Sequence, residues 1–301
     1  MRITKPKRLK KGDLIGIISP ASSPNDLFRI EKGVNYLEGL GYKTKVGKNA
    51  GVYHGYLAGN DEQRVEDIHD MFRDNEVKAI ICTRGGYGSP RLLDKIDYKL
   101  IARHPKIFVG YSDITALQMA ILEKTGLITF AGPMLAVDLY NSVNKYTEEF
   151  FWSLVTSNKK LGKINFPENE KVYPIVKGTA KGRIIGGNLA TFLSLAGTKY
   201  LPDLKNKILL LEEISEAPYR VDRMFNQLRL MGAFNKISAL IIGAFTDCNE
   251  VDSEKRTLTL GEVISDYLDN LRKPVIYNFM HGHITQKITI PFGGNFKINS
   301  S

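Results

Sequence analysis

The sequence has little cysteine and no long apolar run. These two absences argue against a disulfide-stabilised protein and against a membrane-spanning one. Cys82 and Cys248 are the only two cysteines among 301 residues, so a disulfide framework does not hold the fold together. Cys82 lies within an apolar run and is expected to be a buried free thiol. No apolar run approaches the ~18 residues that a membrane span needs. We therefore expect a globular protein of one or two domains, without a membrane partner.

The N-terminus has the basic head, apolar patch and small residues of a signal peptide. However, the patch at 14–18 is very short for the apolar core of such a peptide, and Asp13 abuts it. A buried first strand that ends at Pro20 explains the pattern better. A cytoplasmic protein is the expectation that follows.

The formal net charge is +10, and the lysines are spread along the chain apart from one run at residues 5–11. Such a distribution is typical of a solvated basic face. No nucleic-acid-binding module is recognisable, so we expect no nucleic-acid partner. A basic surface suits an acidic small substrate equally well.

The first half of the chain alternates short apolar runs with helical patterns. Strands are predicted at Leu14–Ser19, Val77–Thr83, Ile107–Gly110 and Leu127–Ala131, and helices at Asp26–Leu40 and Glu62–Arg73. Continuous apolar strands between helices indicate a parallel sheet that is covered on both faces. The predicted class is therefore α/β.

A polar segment rich in Lys, Gly and Pro follows at residues 156–182, and it is predicted to be a linker into a second domain, in which short edge strands can occur. Beyond it, strands are predicted at Lys207–Leu211, Ala239–Ala244 and Pro274–Asn278, with a helix at Arg220–Met231. We therefore expect an N-terminal domain at 1–155 and a smaller C-terminal α/β domain at 183–301.

The stretch "GYSD" places Ser112 at the corner between a predicted buried strand and a helix. In open α/β sheets, binding sites form beyond the carboxyl ends of the strands. Ser112 is therefore either a nucleophile on a sharp turn or, with Asp113, merely a helix cap. The residues of this stretch alone leave both interpretations open.

A serine nucleophile needs a base, and the base needs a group that orients it. Of five histidines, His281 and His283 in "MHGHITQ" follow a predicted strand. Metal binding is the rival interpretation of this pair, but no acidic or cysteine partner lies nearby in sequence. Glu212 and Glu213 come directly after the predicted strand 207–211 and are the candidate carboxylates.

The glycine-rich "TRGGYGSP" at 83–90 also follows a strand. It lacks the spacing of either common nucleotide-binding loop, so a phosphate loop is not favoured. Backbone N–H groups for an oxyanion, or a plain turn, are the other interpretations.

The motifs "RGGYG", "GYSD", "GRIIGGNL", "LLLEEISEAPYRVDRM" and "HGHITQKITIPFG" occur in this order. Together they resemble the LD-carboxypeptidase family of serine peptidases, which includes the microcin C immunity proteins, over nearly the whole chain. The resemblance implies that Ser112 is the nucleophile, His283 the general base and Glu212 the carboxylate, with Glu213 as the alternative. It also implies an oxyanion hole made by the backbone amides of Gly86 and Asp113.

The same resemblance implies a flavodoxin- or Rossmann-like N-terminal domain, a homodimer, and no metal or organic cofactor. The implied substrate is the murein tetrapeptide, which loses its terminal D-alanine. Arg84 is a candidate for binding the substrate carboxylate. Two alternatives remain, namely an immunity-type hydrolase of peptidyl- or aminoacyl-nucleotides and a non-catalytic binding module on the same fold.

Overall fold

The computed structural model describes residues 2–252, 254–269 and 271–300 and contains two six-stranded sheets. The strands of the first sheet are β1 (Leu14–Ile18), β2 (Lys43–Val46), β3 (Val77–Cys82), β4 (Ile107–Gly110), β5 (Thr129–Ala131) and β11 (Ile290–Phe292). The strands of the second are β6 (Tyr173–Val176), β7 (Thr179–Asn188), β8 (Lys207–Ile214), β9 (Ala239–Thr246), β10 (Val275–Tyr277) and β12 (Asn295–Asn299).

The helices lie between and around these sheets, and none in the described ranges is long and apolar enough to cross a membrane. They are α1 (Phe28–Gly39), α2 (Asp61–Arg73), α3 (Tyr98–Arg103), α4 (Thr115–Thr125), α5 (Lys145–Thr156), α6 (Leu189–Leu193), α7 (Pro218–Leu230), α8 (Ala233–Lys236) and α9 (Leu260–Leu268). Short 3-10 helices occupy Ser89–Leu92 and Ser112–Ile114.

The first sheet has the strand order β2-β1-β3-β4-β5-β11. Its first five strands are parallel, and β11 returns from the far end of the chain to pair antiparallel with β5. The order β2-β1-β3-β4-β5 is that of flavodoxin-like sheets. The predicted α/β class is confirmed, and the apolar patch near the N-terminus is the buried strand β1.

The second sheet has the order β12-β7-β8-β9-β10-β6, with β7 to β10 parallel. Strand β8 continues to Ile214, so Glu212 and Glu213 lie within the strand and not after it, which corrects the prediction. Strand β8 is longer than predicted because it pairs with β7 on one side and with β9 on the other. In the pairing with β7, Glu212 lies opposite Asn188. Strand β6 and the start of β7 fall within 156–182, the segment predicted as a linker.

Helix α4 connects the two halves of the molecule. It packs against α3 and β5 of the first half and against α6 and β7 of the second. Its residues from Thr115 to Leu122 are all buried, because both sides of the helix are covered. The helix therefore has no exposed face over its first two turns, and its N-terminus directly follows the turn that carries Ser112.

Candidate active site

Ser112 sits on a sharp turn between β4 and α4. Its φ angle is +62°, in the left-handed region that non-glycine residues rarely adopt. Two glycines make room for the turn, since a Cβ on Gly110 would lie 2.9 Å from Ile114 and one on Gly85 would lie 2.9 Å from Ser112 Oγ. Backbone strain at a partly exposed serine after a buried strand is the geometry of a nucleophile elbow.

His283 lies between Ser112 and Glu212. Its Nε2 is 3.0 Å from Ser112 Oγ, and its Nδ1 is 2.8 Å from Glu212 Oε2. An ionised carboxylate only accepts hydrogen bonds, so Nδ1 carries the proton and Nε2 is free to accept from the serine hydroxyl. The three side chains thus have the order and spacing of a serine nucleophile, its base and an orienting carboxylate.

The loop that carries His283 is held from several directions. Gly282 adopts a φ of +132° against the Glu212 side chain, where a Cβ would lie 3.0 Å from Oε2. The Thr246 hydroxyl donates to the carbonyl of His283 at 3.1 Å, and the Thr147 hydroxyl donates to that of Thr285 at 3.1 Å. These contacts fix the backbone on both sides of the imidazole.

The two adjacent glutamates have different partners. Glu212 is fully buried and faces His283. Glu213 points elsewhere and accepts from Asn188 Nδ2 at 2.7 Å and from the backbone N–H groups of Ala190 and Ile214. Burial raises the pKa of Glu213, and these three donors oppose that rise. The structure therefore brings Glu212, and not Glu213, to the histidine.

His281 is buried and directed away from the serine. Its Nδ1 donates to the carbonyl of Ile288 at 2.8 Å, and its Nε2 has no hydrogen-bond partner among the described residues. Burial lowers the pKa of His281, the charge of Glu212 opposing that shift. No group of three or more His, Cys, Asp or Glu within those residues is arranged to hold a metal ion, and the two histidines have different partners, Ile288 for His281 and Glu212 for His283.

Asp113 does not cap the helix, which corrects the capping prediction. Neither the 3-10 helix nor α4 has a side-chain cap, because Asp113 accepts from the Ser89 backbone N–H at 2.7 Å and its carbonyl accepts from the Ser89 hydroxyl. Burial raises the pKa of the Asp113 carboxyl, and the bond to Ser89 opposes this. Asp113 thus fastens the glycine-rich loop to the nucleophile turn.

The glycine-rich loop passes directly beside Ser112. Gly85 is the residue in contact, since a Cβ there would also lie 3.3 Å from the Asp113 nitrogen. Gly86 has a φ of +109° and packs against Ser22. Arg84 is half-buried beside Gly86, and its guanidinium makes no ion pair or hydrogen bond with any other described residue. The contact of Gly85 with Ser112 was not predicted. The paired glycines in "RGGYG" are the sequence signal that another group approaches this backbone closely.

The "GGN" of "GRIIGGNL" explains how the second sheet docks on the nucleophile helix. A Cβ on Gly187 would lie 2.5 Å from Thr115 Oγ1, and the Asn188 backbone N–H donates to that oxygen at 3.1 Å. Any larger residue at 187 would separate β7 from α4. This motif therefore sets the distance between the serine on one half and the carboxylate on the other.

A polar cavity of about 270 Å³ adjoins the imidazole. Its lining comprises Val137, Asp138, Ser142, Asn144, Thr147, His283, Ile284 and Thr285. Hydroxyl and amide groups predominate, so the cavity suits a polar substrate group close to His283.

Two family models match the chain and together cover most of it. The LD-carboxypeptidase N-terminal domain matches residues 15–132, and the LD-carboxypeptidase C-terminal domain matches residues 181–298. The first range contains Ser112, and the second contains Glu212 and His283.

Relatives align over nearly their whole length. The chain is 40% identical to a probable murein peptide carboxypeptidase of Bacillus subtilis, covering 99% of this chain and 92% of that protein. It is 33% identical to the microcin C7 self-immunity protein MccF of Escherichia coli, covering 97% and 92%. Among solved structures, an MccF-like protein from Bacillus anthracis superposes with a TM-score of 0.87 at 36% identity, covering 99% of this chain and 96% of the other.

Proposed function

The chain belongs to the LD-carboxypeptidase family of serine peptidases, and on that premise we propose that it hydrolyses the L,D-peptide bond of murein tetrapeptide and releases the terminal D-alanine. The observation that carries the proposal is the hydrogen-bonded series from Ser112 through His283 to Glu212. The name of the Bacillus subtilis relative, a probable murein peptide carboxypeptidase, supports the substrate class.

In the first half of the reaction, His283 Nε2 takes the Ser112 proton as Oγ attacks the carbonyl carbon on the L side of the scissile bond. Glu212 stabilises the imidazolium that forms, because its carboxylate accepts from Nδ1. The carbonyl oxygen becomes an oxyanion. The N–H groups of Asp113 and Gly86 are the proposed donors to it.

Two features support these donors. The first N–H groups of a helix have no intrahelical acceptor, which leaves that of Asp113 for the substrate. The contact between Gly85 and Ser112 brings the peptide that joins Gly85 to Gly86 alongside the nucleophile. Glycine at both positions lets a substrate carbonyl approach this peptide closely.

In the second half, the intermediate collapses and the C–N bond breaks. His283 returns its proton to the leaving amine, so D-alanine departs and the acyl group remains as an ester on Ser112. Water then loses a proton to His283 and attacks the ester. Cleavage of the ester releases the shortened peptide and restores the serine hydroxyl.

Arg84 is the proposed site for the carboxylate of the terminal D-alanine. A carboxypeptidase must recognise this charge, and arginine binds carboxylates in a two-pronged geometry. The guanidinium of Arg84 has no carboxylate partner within the described ranges, and Arg84 directly precedes Gly85, the residue that touches Ser112. We expect Arg84→Ala to raise KM for the tetrapeptide far more than it lowers kcat.

We further propose that the protein is a cytoplasmic homodimer that needs no metal or organic cofactor. Its N-terminal domain covers residues 1–155, and the sheet of its C-terminal domain begins with β6 and β7, which start within the segment 156–182 predicted as a linker. The family resemblance supports two domains, since separate family models match residues 15–132 and 181–298. Sedimentation of the purified protein tests the dimer, because a single species of monomer mass across micromolar concentrations would contradict it.

An immunity-type hydrolase of aminoacyl-nucleotides is the second candidate, favoured by the likeness to MccF. An adenine base is commonly held by stacking on an aromatic ring. The single tryptophan, Trp152, is already stacked on Tyr42 at 5.0 Å and donates to the Tyr36 hydroxyl at 2.9 Å. This tryptophan is therefore not available to a nucleotide.

A direct comparison of substrates tests the proposal. Purified protein is mixed with murein tetrapeptide, with the same peptide ending in L-alanine, or with an aminoacyl-adenylate analogue, and products are identified by mass spectrometry. Release of alanine from the first substrate alone supports the proposal. Cleavage of the adenylate alone would favour the immunity-type enzyme, and no cleavage of any substrate would favour a binding module.

A further inference from the structure

A buried lysine lies behind the imidazole of the candidate active site. The Lys287 side chain is only 2% exposed, and its Nζ donates to Asp138 Oδ1 at 2.7 Å and to the Tyr111 hydroxyl at 2.9 Å. The same ammonium lies 4.2 Å from the centre of the Tyr111 ring. Burying a lysine costs free energy, because its charge loses contact with water. An apolar side chain at this position would therefore stabilise the fold at least as well.

The three residues come from separate elements that meet at the histidine. Tyr111 directly precedes Ser112, Asp138 follows β5, and Lys287 lies on the same loop as His283. The Lys287 backbone N–H also donates to the Thr147 hydroxyl at 2.9 Å. This cluster therefore joins the nucleophile turn to the histidine loop.

Tyr111 is the member that touches the imidazole. Its ring meets that of His283 edge-on, with centroids 5.2 Å apart and planes at 63°. Burial, and then the charges of Asp138 and Glu212, raise the pKa of Tyr111 well above its usual value. The phenol therefore stays protonated and accepts from the lysine while its ring limits rotation of the histidine.

We propose that Lys287 and Asp138 are positioning residues, which hold Tyr111 against His283 and set the charge balance around the imidazole. Glu212 restrains the imidazole at Nδ1, and the Tyr111 ring supplies a further restraint. The inference rests on the proposed function, since it assigns a role relative to His283 as the base.

The two charges of the pair act on the imidazole in opposite directions. A nearby ammonium disfavours imidazolium, whereas a nearby carboxylate favours it. The other titratable groups of the described structure that face His283 are Glu212 on β8, Tyr111 after β4 and His281 on the same loop. None of these three groups is itself substituted in the variants of the Lys287–Asp138 pair.

The test compares Lys287→Met with Asp138→Asn on murein tetrapeptide across pH. A base must be neutral to accept the serine proton, so activity falls on the acid side as the imidazole is protonated. We expect the midpoint of this fall in kcat/KM to move up by about 0.5 pH unit in Lys287→Met and down by a similar amount in Asp138→Asn. Loss of a merely structural ion pair would not move the two midpoints in opposite directions.

Tyr111→Phe separates the ring from its hydroxyl. We expect kcat to fall about tenfold with KM unchanged, because the ring is no longer tied to Lys287. In the double variant Tyr111→Phe/Lys287→Met, kcat should fall no further than in Tyr111→Phe alone. Independent, multiplicative losses would contradict the coupling.

Two controls separate a failure of this inference from misfolding of a variant and from a wrong triad assignment. If Lys287→Met does not fold, the double variant Lys287→Met/Asp138→Asn takes its place, because it leaves no buried charge without a partner. We expect its kcat to fall about tenfold with KM unchanged. Midpoints and kcat that stay at wild-type values in these folded variants would overturn the inference. The proposed function fails by a different result, namely full turnover by Ser112→Ala.

Discussion

Ser112 Oγ lies 3.0 Å from His283 Nε2, although 171 positions of the chain separate the two residues. The serine belongs to the turn before α4, and the histidine belongs to a loop after β10 of the other sheet. The packing of α4 against α6 and β7, together with the contact between β11 and β7, brings the two halves into this register. The reactive geometry therefore depends on the junction between the sheets as much as on the three side chains.

The strained turn at Ser112 predicts that glycine at this position stabilises the fold relative to alanine, although activity requires the serine. Ser112→Gly should unfold with a free energy about 1 kcal/mol greater than that of Ser112→Ala, because glycine tolerates a φ of +62° without a Cβ clash. Both variants should be inactive. Urea denaturation of the two proteins measures the difference, and equal or reversed stability would show that the turn is not strained.

The adjacent glutamates provide a matched pair of variants. Glu212→Gln should lower kcat about 10³- to 10⁴-fold, because an amide cannot hold the imidazole in the required tautomer as a carboxylate does. Glu213→Gln should keep kcat within a few-fold and lose about 1–3 kcal/mol of unfolding free energy, since its oxygens satisfy Asn188 and Ala190. Steady-state kinetics and urea titration separate the two outcomes. A large kcat loss in Glu213→Gln would reverse the assignment.

Gly85 should tolerate no side chain. Gly85→Ala places a Cβ 2.8 Å from the Ser112 Cβ and 2.9 Å from its Oγ, which forces the nucleophile out of line and should lower kcat about 100-fold. Gly39→Ala is the control, because a Cβ there meets nothing within 4 Å. Comparable activity of the two variants would mean that the loop moves away during the reaction.

The first sheet was largely predictable because its strands are continuous apolar runs. Strand β4 was predicted to the residue, and β1, β3, α1 and α2 differ from prediction by one or two positions at an end. Strand β2 was missed because "KTKV" lies at the edge of the sheet and has a mostly exposed, polar composition. Helix α5 was missed too, although its buried Phe151 and Val155 have helical spacing.

The second sheet was harder to predict, since its outer strands pair over long distances. Strand β12 pairs with β7 across more than a hundred positions, and neither has a long apolar run. The triad residues were predicted from ordered motifs, but the choice between Glu212 and Glu213 needed the direction of each side chain in β8. The roles of Tyr111 and Lys287 depend on contacts between distant elements, which sequence spacing does not specify.

Buried His281 predicts a loss of stability on the acid side. Its pKa is lowered in the folded state and is about 6.5 in the unfolded chain. The stabilisation is therefore complete above pH 6.5 and is lost as the pH falls below it, by at most about 1.4 kcal/mol per pH unit. His281→Asn, which keeps a donor for the Ile288 carbonyl, should lack this slope. Unfolding titrations from pH 7.5 to pH 5 test this, and parallel curves for the two proteins would contradict it.

Chelation should leave activity unchanged. The two histidines of "MHGHITQ" are bound to Ile288 and Glu212, and the proposed mechanism uses only protein groups and water. We expect the same kcat before and after dialysis against EDTA. Inhibition by EDTA that zinc restores would revive the metal interpretation of His281 and His283.

The most direct measurement is D-alanine release from murein tetrapeptide by the wild type and by Ser112→Ala at equal concentration. The account predicts stoichiometric release by the wild type and none above background by the variant, whose fold is verified by urea denaturation. Release by the variant at the wild-type rate, or no release by either protein, would contradict the assignment of a serine-type LD-carboxypeptidase.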